Sequence, residues 1–80
     1  MKIAIIGTGY VGLVSGACLA DTGHDVTCVD LNMDRVNGLN TAKAPFLEAG
    51  LDDLLQKCVG TSLRATSDLG EAISDAKVIF

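Results

Sequence analysis

Ile3-Ala4-Ile5-Ile6-Gly7-Thr8-Gly9-Tyr10-Val11-Gly12, followed by an apolar segment to Thr22 and then by Val26-Thr27-Cys28-Val29-Asp30, decides the fold. A short apolar run rich in β-branched residues and bounded by glycine reads as a buried parallel strand, and parallel strands require a crossover helix between them. The order is therefore strand, glycine turn, helix, strand. Within it Gly7-x-Gly9-x-x-Gly12 has the spacing of a dinucleotide-binding turn. Gly7 permits the tight turn off the strand, Gly9 lets the backbone come against a pyrophosphate, and Gly12 lets the helix lie close to the strand it has just left. The phosphates then rest on the helix N-terminus, where unpaired N–H groups and about half a positive charge favour an anion.

Asp30 lies about 20 residues beyond the glycines, where an acid accepts hydrogen bonds from an adenosine ribose. A carboxylate there suits the free hydroxyls of NAD and opposes the 2′-phosphate of NADP. NAD is the expected cofactor.

Eighty residues make one small domain, and a chain of this size buries only about 60% of its unfolded surface. The formal charge of −4, with the six basic residues scattered singly, argues against a nucleic-acid or polyanion surface. Four glycines between positions 7 and 16 break the apolar stretch nearest the N-terminus, so no targeting or membrane segment is read and a cytoplasmic location is expected. Cys18, in the first helix, and Cys28, in mid-strand, read as small buried apolar side chains of a reducing compartment. None of the three cysteines has metal-ligand spacing, and no metal is expected.

The first helix is expected from about Tyr10 to Thr22, apolar nearly all round and so buried on more than one side, with Gly12 and Gly16 holding it near the sheet and Gly23 ending it. His24 reads as a solvated turn residue. Asn32 caps a short helix carrying Val36 and Leu39. Arg35, in its first turn, either reaches the cofactor's ribose or adenine or stands as a solvated helix arginine; spacing leaves both open. Residues 40–50 read as a loop. Leu51, Leu54, Leu55 and Cys58 have helical spacing, with Asp52 and Asp53 at the positive end. Leu63-Arg64-Ala65-Thr66 reads as a third strand, and Asp68 with Glu71 as a capping box for a helix carrying Leu69, Ala72, Ile73 and Ala76. Lys77-Val78-Ile79-Phe80 opens a fourth strand. The fold class is α/β, a Rossmann-type doubly wound parallel sheet, of which residues 1–80 form the first half with strand order 3-2-1-4.

Met1 to Ala20, with Gly23-His24-Asp25-Val26 and Val29-Asp30, closely resembles the start of UDP-glucose 6-dehydrogenases, in the UDP-glucose/GDP-mannose dehydrogenase family. The resemblance extends over the whole chain. It includes Pro45-Phe46-Leu47-Glu48-Ala49-Gly50-Leu51, which is similar to the family's Pro-Ile-Tyr-Glu-Pro-Gly-Leu, with Ala49 in place of a proline. The resemblance implies an NAD-dependent oxidation of a nucleotide sugar's C6 alcohol to a carboxylate, in two steps, through a covalent cysteine intermediate. It gives the turn of Gly7, Gly9, Tyr10, Val11 and Gly12 to the pyrophosphate, with the Tyr10 and Val11 backbone foremost. Asp30 goes to the adenosine ribose and Arg35 to the same end of the cofactor. It also implies a much longer, homo-oligomeric enzyme of nucleotide-sugar and polysaccharide metabolism, with its catalytic cysteine, catalytic lysine and sugar pocket beyond Phe80. On that reading the 80 residues hold no catalytic residue and are inactive alone. Oxidation of GDP-mannose or a UDP-N-acetyl sugar, or a non-catalytic nucleotide-sensing module, are the alternatives.

Overall fold

A computed structural model describes residues 1–7, 9–44, 49–74 and 76–80, with Tyr10 described by its backbone. In chain order the elements are β1 (Lys2–Ile6), α1 (Tyr10–Asp21), β2 (Asp25–Val29), α2 (Met33–Asn40), α3 (Leu51–Cys58), β3 (Leu63–Thr66), α4 (Leu69–Ser74) and β4 (Val78–Ile79). The four strands form one parallel sheet in the order β3-β2-β1-β4, as the sequence predicts. Backbone bonds carry β4's pairing past its two strand residues, since Lys77 N–H donates to Lys2 and Phe80 N–H to Ala4. Thr8, Asp75 and most of the Pro45–Leu51 stretch lie outside the described residues.

The strand residues alternate between two faces. Ile3 pairs with Val26 and Val26 with Leu63, while Ile5 pairs with Cys28 and Cys28 with Ala65. These six join one buried cluster with Leu13, Ala17 and Ala20 of α1, Val36 and Leu39 of α2, and Leu51, Leu55 and Cys58 of α3. Ile5, Leu13 and Leu55 are fully enclosed there, and each such side chain contributes about 1.5–3 kcal/mol by leaving water. The opposite face is thinner. It rests on Ala4, Val29 and Ala72, with Ala76 at its margin.

Local chemistry explains the helix ends. Asn32 caps α2, its Oδ1 accepting from the N–H groups of Asp34 at 2.9 Å and Arg35 at 3.3 Å. Only half of the expected capping box forms at α4: Asp68 Oδ1 accepts from Glu71 N–H at 3.0 Å. The Glu71 carboxylate turns instead to Arg64 at 2.8 Å, and Asp68 N–H donates to Thr66.

Several expectations need correction. The first helix is not buried on more than one side, and Cys18, expected to be buried, is exposed along with Val11, whereas Leu13, Gly16, Ala17 and Ala20 are buried, because α3 and the sheet cover only one flank. α4 buries Ala72 but leaves Leu69 and Ile73 exposed, since it is short and touches the sheet through alanine. Asn40 belongs to α2 rather than to the following loop. His24, expected to be solvated, is half-buried instead, and among the described residues its Nδ1 has no hydrogen-bond partner.

Candidate functional site

The carboxyl ends of β1 and β2 open into a cavity of about 360 Å³ lined by Ile6, Gly7, Val29, Asp30, Leu31 and Leu69. In doubly wound sheets a ligand crevice lies at this end, where the winding direction reverses. Here the reversal falls at β1, flanked by β2 on one side and β4 on the other.

Gly7 begins the turn with φ of +93°, a conformation that side-chain-bearing residues rarely adopt, and its N–H donates to Val29 O at 2.6 Å. That bond ties the turn to the neighbouring strand. Gly9 is the N-cap of α1, at φ −67° and ψ 175°, where any residue is comfortable. Among the described residues, a Cβ placed on it meets nothing within 4 Å beyond its chain neighbours. Among the described residues neither backbone strain nor packing calls for glycine at this position, and the open space leaves room for a ligand such as a dinucleotide's pyrophosphate to lie against the backbone.

Gly12 answers to the protein itself: a Cβ there stands 3.1 Å from Gly7 O and 3.3 Å from Ile5 Cγ2. The helix start is thereby pressed onto the turn. Gly9 has no side chain to cap α1, and the first turn carries no acidic residue. The N–H groups of Tyr10 and Val11 therefore lie at a helix end whose partial positive charge is not answered by an acidic side chain of that turn.

Asp30 follows β2 directly and is half-buried, its N–H donating to Thr66 O at 3.1 Å. Its Oδ1 accepts from Asn32 N–H at 2.9 Å, which orients the carboxylate at the crevice. Gly7 and Asp30 are thus brought together at one cavity, with Gly9, Tyr10, Val11 and Gly12 continuing from the turn. Arg35 is not among the residues lining it. That arginine lines a separate hollow with Asp34, Gly38, Lys43 and Ala44, one turn along α2.

The sequence reading missed Ile6, Leu31 and Leu69 as lining residues. Leu31 is 88% exposed, and a leucine directly after the strand-end acid is the sequence signal by which it could have been found. Among the described residues, no group of three or more His, Cys, Asp or Glu is placed to hold a metal, and no helix is long and apolar enough to cross a membrane. Cys28 lies inside the sheet, where burial pushes its thiol up to about 12, a value suited to packing rather than to nucleophilic work.

Comparison with known proteins agrees with this geometry. Residues 1–80 match the model of the UDP-glucose/GDP-mannose dehydrogenase family, NAD binding domain. A UDP-glucose 6-dehydrogenase of Rhizobium meliloti is 47% identical over 81 residues, covering 100% of this chain and 18% of that protein. A GDP-mannose 6-dehydrogenase of Pseudomonas savastanoi pv. phaseolicola is 47% identical over 74 residues, covering 91% of this chain and 17% of that protein. Among solved structures, a ternary complex of GDP-mannose dehydrogenase from Pseudomonas aeruginosa superposes with a TM-score of 0.96 at 41% identity, covering 100% of this chain and 19% of that one. The chain thus spans just under a fifth of the length of the relatives it matches.

Proposed function

The chain belongs to the UDP-glucose/GDP-mannose dehydrogenase family, with NAD as its cofactor, and from that premise we propose that it is the cofactor-holding part of a UDP-glucose 6-dehydrogenase. When bound, NAD supplies the hydride acceptor for oxidation of the sugar's C6 alcohol. The 80 residues hold and orient it. The N–H groups of Tyr10 and Val11, at the open end of α1, bind the pyrophosphate, with Gly7, Gly9 and Gly12 shaping the turn. Asp30 accepts hydrogen bonds from the adenosine ribose, and Arg35 serves the same end of the cofactor. The catalytic cysteine and sugar pocket belong to parts of the longer enzyme outside these residues, so the chain alone is expected to form no NADH from UDP-glucose and NAD.

The carrying observation is the meeting of the glycine turn and Asp30 at one crevice, together with the open space beside Gly9 among the described residues. A GDP-mannose 6-dehydrogenase is the second reading, favoured by the superposition on the Pseudomonas aeruginosa enzyme. Full-length protein assayed with UDP-glucose and GDP-mannose separates the two.

For the cofactor site, the test is NAD and NADP affinity by calorimetry. Like charges about 4 Å apart repel by roughly 4 kcal/mol per unit pair at an effective dielectric of 20, before screening. A preference for NAD of about a hundredfold is expected, since that needs only about 2.7 kcal/mol. Asp30→Ser narrows or inverts it. Equal affinity in the wild type, or an unchanged ratio in Asp30→Ser, refutes the role given to Asp30.

A further inference from the structure

Asparagine occurs three times in the chain, as Asn32, Asn37 and Asn40, and the fold gives the three side chains different surroundings. Asn32 Oδ1 caps α2. Asn40 is engaged at both amide atoms by Ala65 of β3. Asn37 stands exposed in the second turn of α2, and among the described residues its side-chain amide takes part in no hydrogen bond.

The residue after Asn37 is Gly38. A backbone nitrogen can attack the carboxamide carbon of the asparagine before it, and glycine, with no Cβ in the way, gives the most accessible such nitrogen. Inside a helix an N–H is bound to the carbonyl four residues back, so the Gly38 nitrogen is released only when its turn opens. α2 is eight residues long, and a glycine in its interior weakens it. One residue closes that turn. Thr41 N–H donates to Gly38 O at 3.1 Å and Asn37 O at 3.2 Å, and its hydroxyl donates to Gly38 O at 2.9 Å and Asn37 O at 3.2 Å. Lys43 N–H adds a further donor to Gly38 O at 2.9 Å.

We propose that Asn37 is a site of spontaneous covalent modification, deamidation through its peptide bond to Gly38, and that Thr41 governs the rate by holding the last turn of α2 shut. The Gly38 nitrogen gives up its proton and bonds to Asn37 Cγ; the Cγ–Nδ2 bond breaks and ammonia leaves, taking up one proton, to give a five-membered succinimide. Water then opens the ring at either carbonyl and leaves aspartate or isoaspartate at position 37. Either product sets a negative charge in the half of α2 nearest its C-terminus, where the helix dipole opposes it. Isoaspartate also puts one more carbon into the backbone, breaking the helical ladder between the buried Val36 and Asn40, whose amide holds Ala65. The modification therefore loosens α2 from β3.

The experiment incubates the 80-residue chain with reductant at pH 8 and 37 °C, with circular dichroism confirming the fold, and follows by peptide mapping the mass gain of an amide converted to an acid. Conversion is expected at Asn37, with Asn32 and Asn40 intact, and about tenfold or more faster in urea, where no local opening is required. Thr41→Val keeps the branched shape and loses the hydroxyl; it converts several-fold faster while folded and no faster in urea. Gly38→Ala, whose Cβ would lie 3.7 Å from Lys43 O, an ordinary contact, is suppressed at Asn37 in folded and unfolded chains alike. In the isoaspartate form, separated by anion exchange, the Ala65 N–H exchanges with deuterium faster than in the unconverted chain.

A folded wild type that keeps Asn37 intact while the unfolded chain converts it, or that converts Asn32 or Asn40 as fast, overturns the site. A folded Thr41→Val rate equal to that of the wild type overturns the gate. Should that variant not fold, urea below the unfolding transition serves in its place, and a wild-type rate that stays flat up to the transition overturns the gate equally. Unchanged exchange at Ala65 overturns the loosening of α2.

Discussion

Asn40 and Ala65, 25 residues apart, exchange two hydrogen bonds: the Asn40 amide Nδ2 donates to Ala65 O at 3.0 Å, and Ala65 N–H donates to Asn40 Oδ1 at 2.9 Å. β3 is the sheet's edge, and an edge strand presents backbone groups with no strand to pair them. The amide of Asn40, from the last turn of α2, does for one residue what a neighbouring strand would do. Asn40→Ala leaves both groups of Ala65 to water or to nothing, at a cost of about 1–2 kcal/mol. For a domain of this size that is a drop of roughly 5–15 °C in melting temperature. A thermal melt within 2 °C or so of the wild type would show that the clamp is idle.

Gly16 and Ile5 define a second test. A Cβ on Gly16 lies 2.9 Å from Ile5 Cδ1, 3.4 Å from Cys28 Sγ and 3.5 Å from Val26 Cγ1. Gly16→Ala gains about 1 kcal/mol of helix propensity and pushes aside Ile5 Cδ1, the end of a flexible side chain, at a cost of about 1 kcal/mol. The two nearly cancel in the net stability. Ile5→Val removes the crowded Cδ1, so the double variant should be more stable than the two single changes predict by about 1 kcal/mol. Strict additivity in denaturant unfolding counts against the close approach.

The thiols separate by position. With the chain folded at pH 8, a thiol reagent is expected to label Cys18 and to spare Cys28 and Cys58 until denaturant is added. The pH dependence follows from Cys28, whose burial lifts it from about 9 to about 12. Below pH 9 the thiol is protonated in both folded and unfolded chains, and its contribution is fully present. Between pH 9 and 12 only the unfolded chain releases the proton, so stability falls by up to roughly 1.4 kcal/mol per pH unit. Lys57, raised above 10.5 by its hydrogen bond to Asp21, adds a smaller loss at the alkaline end. Cys28→Ala should show a shallower decline above pH 9, and an identical slope refutes the assignment.

On the β4 side of α1, a hollow of about 470 Å³ is lined by Ile5, Val11, Gly12, Ser15, Cys18, Leu19 and Phe80. Val11 is 74% and Phe80 66% exposed. Apolar surface beside an open strand edge favours self-association, so the isolated chain should form oligomers at micromolar concentration. Cys18→Glu, which sets a charge in the hollow of an already acidic chain, should reduce them. Light scattering from a clean wild-type monomer would contradict this.

What was legible in the sequence was local. Asn32's cap spans three residues, and the crowding at Gly12 follows from its place one turn into the helix. The burial of Ile3, Ile5, Val26 and Cys28 follows from apolar residues in parallel strands. What escaped was set by partners distant in sequence. Cys18 and Val11 carry apolar side chains, but α3 covers the other flank of α1, and nothing within α1 states which flank it will cover. The Asn40–Ala65 pair joins residues whose own neighbourhoods say loop and strand. At the crevice, the glycines and Asp30 declared themselves by spacing, whereas Leu31 and Leu69 come from the ends of different elements and meet only in the fold.

The order β3-β2-β1-β4 also has a consequence in time. β1 sits inside the sheet, and of these four strands its neighbour β4 lies farthest from it along the chain, so Ile6 N–H pairs with the carbonyl of Phe80. Closing so long a loop carries the largest entropic cost of any pairing in the chain, and distant pairings are slow to form. The crevice stands over β1, which joins these pairings, so a ligand that binds the paired strands and not the open chain draws the folding equilibrium toward closure.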